Sequence, residues 1–240
     1  MWSVQELKRR WGIEFGNIWG QNEATANIAG PKYITDMEMR IDHFPLLGKP
    51  GAPWNEGMLG YCKMKLIDPV TSQEVTEEGK VGELWYLGPN VIPGYFKRPD
   101  LTAKAFDKDG FFNTGDLFQI KDYNCVGFFD RSKDVIIRGG FNVSAQEVEN
   151  TVLGYPKVLD AAAVAMPDEI LGERTCIYVV PRPGETVTLA EVVAFMKEKG
   201  LAVYKIPERL EIIDAIPRNP VGKIMKKVLK EDIKQKMTAA

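Results

Sequence analysis

Apolar positions change their spacing several times along the 240 residues, and each change predicts an element. Val4, Leu7 and Trp11 recur at helical spacing, so a helix opens the chain and ends at Gly12. Ile13 to Trp19 reads as a short strand, and Gly20 opens a loop. From Lys32 to Leu117 the period shortens: β-type runs, Gly60 to Ile67 and Gly82 to Leu87, alternate with Gly and Pro turns. One helix is predicted there, over Leu101 to Phe106. The pattern is that of a small β-rich domain.

A second unit begins near Asp130. Val126 to Phe129 and Val135 to Ile137 are apolar runs around a charged turn, Asp130-Arg131-Ser132-Lys133-Asp134. Ser144-x-x-Glu147 and Thr188-x-x-Glu191 are capping boxes, each starting a helix. The first helix carries Val148 and Val152 and closes at Gly154 and Pro156. The second presents Leu189, Val192, Val193 and Met196 and ends at Gly200. Val158 to Met166 and Thr175 to Val180 are continuous apolar strands, Leu210 to Ile213 is another, and a basic helical pattern spans Met225 to Lys236. The expected class is α+β, in two domains: 1–132, β-rich, and 133–240, a compact α+β unit.

Composition narrows the function. The formal charge of -2 implies no nucleic-acid or membrane partner. No apolar run approaches the ~20 residues of a membrane span, and the first ten residues lack a signal-peptide core. Cys62, Cys125 and Cys176 are isolated, which suggests neither a zinc site nor a disulfide framework and fits a cytoplasmic setting. His43, the only histidine, sits beside Phe44 and Pro45, so histidine triads and multi-histidine metal sites are excluded. Oligomeric state is not readable.

Four segments carry candidate chemistry. In Trp19-Gly20-Gln21-Asn22-Glu23 an aromatic could stack on a base and the Glu could hold a hard cation; a strand end with a surface Glu reads equally well. In Asn113-Thr114-Gly115-Asp116 a carboxylate after a Gly turn could accept from a ribose diol, or simply cap the turn. Gly139 and Gly140 permit close approach of a thin ligand, or form a bulge before the capped helix. Lys223 follows Gly222 on a loop, Pro217 to Ile224, from which a flexible cation could reach an anionic centre or point into solvent.

These fragments occur together and in order. From about Gly12 to Lys230 the chain resembles the C-terminal half of the AMP-forming adenylating enzymes, which include acyl-CoA synthetases, amino-acid adenylation domains and luciferases. The matching residues are Gly20-x-x-Glu23, Gly82-Glu83-Leu84, Gly94-Tyr95, Thr114-Gly115-Asp116, Asp130-Arg131-x-Lys133-Asp134, Gly139-Gly140-x-Asn142-Val143, Pro167-Asp168-x-x-x-Gly172-Glu173 and Gly222-Lys223. Gly139 to Ser144 with Glu147-Val148-Glu149 looks most like the acyl-CoA ligase branch, the ligases of fatty acid metabolism.

The resemblance implies roles. Trp19 flanks the adenine, with Gly20 and Asn22 beside the nucleotide; Glu23 binds Mg²⁺; Asp116 holds the ribose hydroxyls, helped by Arg131. Lys223 stabilises charge between a substrate carboxylate and the α-phosphate. Lys133 is the hinge of a mobile C-terminal domain, and Gly139 and Gly140 line the channel for coenzyme A. The implied reaction joins a small-molecule carboxylic acid to ATP as an acyl-AMP with release of pyrophosphate, then to CoA with release of AMP. The family's Ser/Thr/Gly-rich phosphate loop does not precede Trp19, so the expectation is a truncated chain, inactive alone. Asn22 replaces a usual Thr, and Pro45 to Asn55 departs from the family pattern. Two alternatives stand: a non-catalytic nucleotide- or CoA-binding module, and a standalone amino-acid adenylation domain.

Overall fold

The computed structural model describes residues 4–55 and 57–238. The chain divides into two compact units, Met1–Ser132 and Lys133–Ala240.

The first unit opens with helix α1 (Val4–Trp11), which Gly12 closes at φ +66°, a conformation that costs glycine little. Strands β1 (Asn17–Gln21) and β2 (Ala24–Ala29) form an antiparallel pair. A larger antiparallel sheet contains β3 (Phe44–Pro45), β4 (Lys63–Ile67), β5 (Glu74–Val75), β6 (Val81–Leu87), β7 (Phe112–Ile120) and β8 (Cys125–Arg131), in the order β3-β8-β7-β6-β4-β5. Helix α2 (Pro99–Ala105) lies between β6 and β7 in sequence, with Pro99 in its first turn. Along β6, buried Gly82, Leu84 and Tyr86 alternate with half-buried Val81, Glu83, Trp85 and Leu87, the period of a sheet with one covered face. The core beneath it holds Trp19, Phe44, Leu47, Leu66, Leu84, Tyr86, Phe118 and Val126.

The strand expected from Gly60 starts only at Lys63, because Gly57–Tyr61 form a 3-10 helix, and β1 runs through Gly20 to Gln21. Two further expectations change. The strand expected from Ile13 starts only at Asn17. Its upstream carbonyl at Phe15 is taken by Arg40, whose buried guanidinium also bonds Glu14 and the carbonyls of Ile34 and Thr35. Asn113 to Asp116, expected as a turn, lie inside β7. From Glu83 to Trp85, β6 advances two residues while β7 covers four, Leu117 back to Asn113, and Gly115 has φ +67°. The segment is a bulge, so the glycine pattern of a turn was real but its setting was a ladder.

The second unit contains β9 (Ile136–Arg138), β10 (Phe141–Val143), α3 (Ala145–Leu153), β11 (Val158–Asp168), β12 (Gly172–Pro181), α4 (Leu189–Glu198), β13 (Arg209–Ile212) and α5 (Lys226–Thr238). The sheet order is β10-β9-β12-β11, with β13 parallel to β12. Ala161, Ala163, Ala165, Ile177 and Val179 pack with Val148, Val152, Val192 and Met196 of α3 and α4. The alternate residues Ala162, Val164, Met166, Cys176 and Tyr178 pack with Leu229 and Ile233 of α5. Both faces of β11 and β12 are covered, which is why these strands read as continuous apolar runs. Ser144 and Thr188 cap α3 and α4; Thr188 and Glu191 bond each other reciprocally. The charged turn is shorter than expected, because β8 runs through Arg131.

Candidate nucleotide and lysine sites

In the first unit the β7 bulge turns Asp116 towards β1 and β8. The Trp19 indole Nε1 donates to Asp116 Oδ2 at 2.8 Å, and Arg131, its ladder partner, brings Nε to 4.0 Å from Oδ1. Thr114 fixes the bulge: its hydroxyl donates to the Leu84 carbonyl at 2.7 Å and accepts from the Asp116 amide at 3.2 Å. Trp19 is 7% exposed and meets Phe118 edge-on, centroids 5.3 Å apart. Three separately expected residues, Trp19, Asp116 and Arg131, therefore form one cluster. Sequence spacing gives no hint that the tryptophan holds the carboxylate.

Gly20 and Asn22 are exposed at the β1–β2 turn. Glu23 is half-buried; its carbonyl accepts from the Ile92 amide at 2.9 Å and its Oε1 from the Tyr95 hydroxyl at 3.4 Å. Tyr95 belongs to the Gly94-Tyr95 motif, whose spacing gives no sign of this contact with Glu23. Burial and the adjacent Glu23 charge push the Tyr95 phenol upward, so it remains a donor. Among the described residues no cluster of three His, Cys, Asp or Glu side chains could hold a metal. A single carboxylate fits Mg²⁺ only where phosphates and water complete the shell, which is the ordinary way nucleotide enzymes hold it.

In the second unit Lys223 is exposed on the loop between β13 and α5, and the loop's backbone is tightly held. Asn219 Oδ1 accepts from the amides of Val221 (3.2 Å) and Lys223 (2.9 Å), and the Asn219 amide donates to the Lys223 carbonyl at 2.9 Å. Gly222 has φ +82° and donates to the Asn219 carbonyl at 2.8 Å. Arg218 donates to the Gly222 carbonyl at 3.0 Å and bonds both oxygens of Asp160. Among the described residues the Lys223 ammonium has no hydrogen-bond or ion-pair partner. Its neighbours do: Lys226 meets Glu149 at 2.8 Å, and Lys230 donates to the Lys133 carbonyl at 2.7 Å.

Gly139 and Gly140 form the two-residue turn of the β9–β10 hairpin, at φ +55° and +84°. Positive φ at both central residues is the type I′ pattern that favours Gly-Gly. Lys133 is exposed, the first residue of its unit. Candidate nucleophiles elsewhere are silent. Burial pushes Cys125 up to about 11 and Cys176 up to about 12, so neither supplies a thiolate at neutral pH. His43 lies with Nδ1 2.6 Å from Asp42 and Nε2 2.9 Å from Asp122, a bridge within the fold.

Residues 147–223 match the profile of the AMP-binding enzyme C-terminal domain, a span that ends at Lys223. The chain is 42% identical to 2,3-dihydroxybenzoate-AMP ligase of Bacillus subtilis, over 99% of this chain and 41% of that protein. It is 43% identical to medium-chain fatty-acid–CoA ligase of Escherichia coli, over 98% of this chain and 39% of that protein. Among solved structures, o-succinylbenzoate CoA synthetase from Bacillus subtilis, in complex with its acyl-adenylate, superimposes with a TM-score of 0.75 at 28% identity. The match covers 94% of this chain and 43% of that one. ATP-bound MatB from Rhodopseudomonas palustris gives 0.72 at 31% identity, over 95% and 42%. The chain thus spans about two fifths of the length of the relatives it matches.

Proposed function

We propose that this chain, which belongs to the AMP-forming adenylating enzymes and carries the C-terminal half of their fold, contributes to an ATP-dependent acid–CoA ligase. One observation carries the reading. The chain matches, across nearly its whole length and almost equally, one relative named for AMP ligation and one named for CoA ligation. Those names describe the two halves of one chemistry. In the first, a carboxylate oxygen attacks the α-phosphorus of ATP and pyrophosphate leaves. In the second, the CoA thiolate sulfur attacks the acyl carbon and AMP leaves.

The residues divide this work. Asp116 accepts from the ribose hydroxyls, with Arg131 nearby, while Trp19 walls the adenine side and fixes the carboxylate. Gly20 and Asn22 border the nucleotide, and Gln21 Nε2, buried without a hydrogen-bond partner among the described residues, is a donor left for it. Glu23 would hold Mg²⁺, which when bound neutralises phosphate charge. Two anions must meet in the first step, so a mobile cation is most valuable there, and Lys223, without a partner among the described residues and on a loop whose backbone is held, is suited to that role. Lys133 is the hinge, and the Gly139-Gly140 turn, which exposes backbone without side chains, borders the channel for CoA. The substrate is a small-molecule carboxylic acid; one relative is named for an aromatic acid and the other for an aliphatic one. Buried free thiols accord with a cytoplasmic setting, and no helix among the described residues is long and apolar enough to cross a membrane.

The test is acid-dependent ATP–pyrophosphate exchange. It is run on this chain alone and on the chain joined behind the N-terminal portion of the Bacillus AMP ligase. The joined protein is expected to be active, and its Lys223→Ala form to lose at least ~100-fold, as for a transition-state charge contact. Equal rates would remove Lys223 from the mechanism. Binding of AMP or CoA by the chain alone, with no exchange by the joined protein, would instead favour a binding module.

A further inference from the structure

Glu83 is a charged motif residue of the first unit to which the proposed reaction gives no task. It lies on the half-buried face of β6, and both of its carboxylate oxygens are used. Oε2 accepts from Asn113 Nδ2 at 2.8 Å, and Oε1 accepts from the Ser132 hydroxyl at 2.8 Å. One partner, Asn113, begins the Asp116 bulge, and the other, Ser132, directly follows β8. Asn113 Oδ1 accepts from the Gly115 amide at 2.8 Å, and the Ser132 amide donates to the Gly115 carbonyl at 3.0 Å. The last residue of the first unit is therefore tied to the segment that aims Asp116 in two ways, directly through its backbone at Gly115 and through its side chain by way of Glu83 and Asn113. The next residue, Lys133, has its carbonyl bonded to Lys230 within the second unit.

We propose that Glu83 is a positioning residue that pins Ser132 to the Asp116 bulge, so that backbone freedom at the hinge begins at the Ser132–Lys133 peptide and no earlier. The proposal deepens, and rests on, the reading of Lys133 as the hinge and Asp116 as the nucleotide carboxylate. A charged acceptor suits this task. Each oxygen takes one donor, and bonds to a carboxylate are shorter and stronger than neutral ones. Confining the pivot keeps the motion of one unit from loosening the carboxylate in the other, because Ser132 and Asp116 share Gly115 as a common anchor.

The test needs no nucleotide. In the 240-residue chain, amide relaxation and hydrogen exchange are measured for wild type, Glu83→Ala and Glu83→Gln. Wild-type Ser132 is expected to be as rigid as β8. Glu83→Ala is expected to mobilise Arg131 and Ser132, to lower protection of the Ser132 and Gly115 amides by at least ~10-fold, and to shift the Trp19 indole N–H resonance, with amides of β11 and β12 unchanged. Glu83→Gln, which keeps one acceptor, is expected to restore most of the Ser132 protection. If Glu83→Ala does not fold, Ser132→Ala removes the same bond from the other side and carries the same expectation at residues 131 and 132. Mobile Ser132 in wild type, or unchanged Ser132 in these variants, overturns the latch. Relaxation data that fit one common tumbling tensor for both units overturn the hinge reading itself, and the latch with it.

Discussion

Asp116 and Lys223 are the two charged centres of the proposed chemistry, and the fold treats them in opposite ways. Asp116 is held by side chains: a buried indole, a ladder arginine and a threonine-braced bulge. Lys223 is held by its backbone alone, through Asn219, Gly222 and Arg218, and its ammonium is left uncommitted among the described residues. A group that binds the constant part of a substrate can be built into a core, because its geometry never has to change. A group that acts only while charge is developing gains from an ordered base and an open tip. The difference predicts that changes around Asp116 damage folding and binding together, whereas changes at Lys223 damage chemistry alone.

The largest expected effect lies under Asp116. Phe118 supports Trp19, Phe44 and Phe128 at centroid distances of 5.3, 6.3 and 5.6 Å. Phe118→Ala is expected to destabilise the first unit by about 3–5 kcal/mol. All five tryptophans precede residue 86, so indole fluorescence during urea unfolding reports the first unit, while far-UV circular dichroism reports both. A fall in the fluorescence midpoint with an unmoved second transition sustains the comparison. Coincident loss of both transitions breaks it.

Next in size is Trp19→Phe, which keeps a ring in the core but deletes the indole donor to Asp116. Loss of a hydrogen bond to a charged group predicts about 1.5–3 kcal/mol of destabilisation. In the joined protein the same variant is expected to weaken AMP binding measured by calorimetry. A stability loss with no change in AMP affinity would leave Trp19 a core residue and detach it from the nucleotide.

How much of this was legible varies with the range of the interaction. Local signals were faithful: Thr188 and Glu191 form the reciprocal cap their spacing announces, Gly12 ends the first helix, and β11 and β12 are the buried strands their unbroken apolar runs imply. Strands whose limits depend on distant partners were misjudged. Arg40 decides where β1 starts from twenty-five residues away, through the Phe15 carbonyl, and nothing in Ile13 to Trp19 reports it. The Asp116 segment shows its glycine locally, but whether that glycine makes a turn or a bulge depends on its pairing with β6. Within the site, residue types and order were readable through the family resemblance. The contacts that organise it, Trp19 to Asp116, Tyr95 to Glu23 and Glu83 to Ser132, span 97, 72 and 49 positions and left no trace in spacing.

A smaller effect tests whether exposed charges in the second unit differ in kind. Glu191 is half-exposed and fully engaged: Lys157 at 2.7 Å is the largest influence, the Thr188 amide and hydroxyl add to it, and together they pull its carboxyl down to about 2. Its folded value is depressed below an ordinary 4.5, so its contribution is present above the unfolded value and is lost as pH falls from about 4.5 through about 2. Thr188→Ala is expected to cost about 1 kcal/mol at neutral pH through the lost cap, and to raise the Glu191 titration midpoint towards 4.5 in carboxyl-detected NMR. An unmoved midpoint would leave the depression to Lys157 and the residue-188 backbone amide, with nothing from the hydroxyl.

The smallest expected effect on stability is at Lys223, and it bears most directly on the comparison. Lys223→Ala removes an exposed side chain and leaves both backbone bonds to Asn219 in place, so the unfolding free energy is expected to shift by no more than ~0.5 kcal/mol. Arg218→Ala is its counterpart. It leaves the ammonium intact but removes the bonds to Gly222 and Asp160, and it is expected to loosen the loop and reduce exchange activity in the joined protein. Arg218→Lys retains charge without the two-pronged geometry and is expected to recover little. Should Lys223→Ala destabilise the second unit as strongly as Trp19→Phe destabilises the first, the ammonium is a structural group after all, and the contrast between a built-in anchor and an open-tipped cation fails.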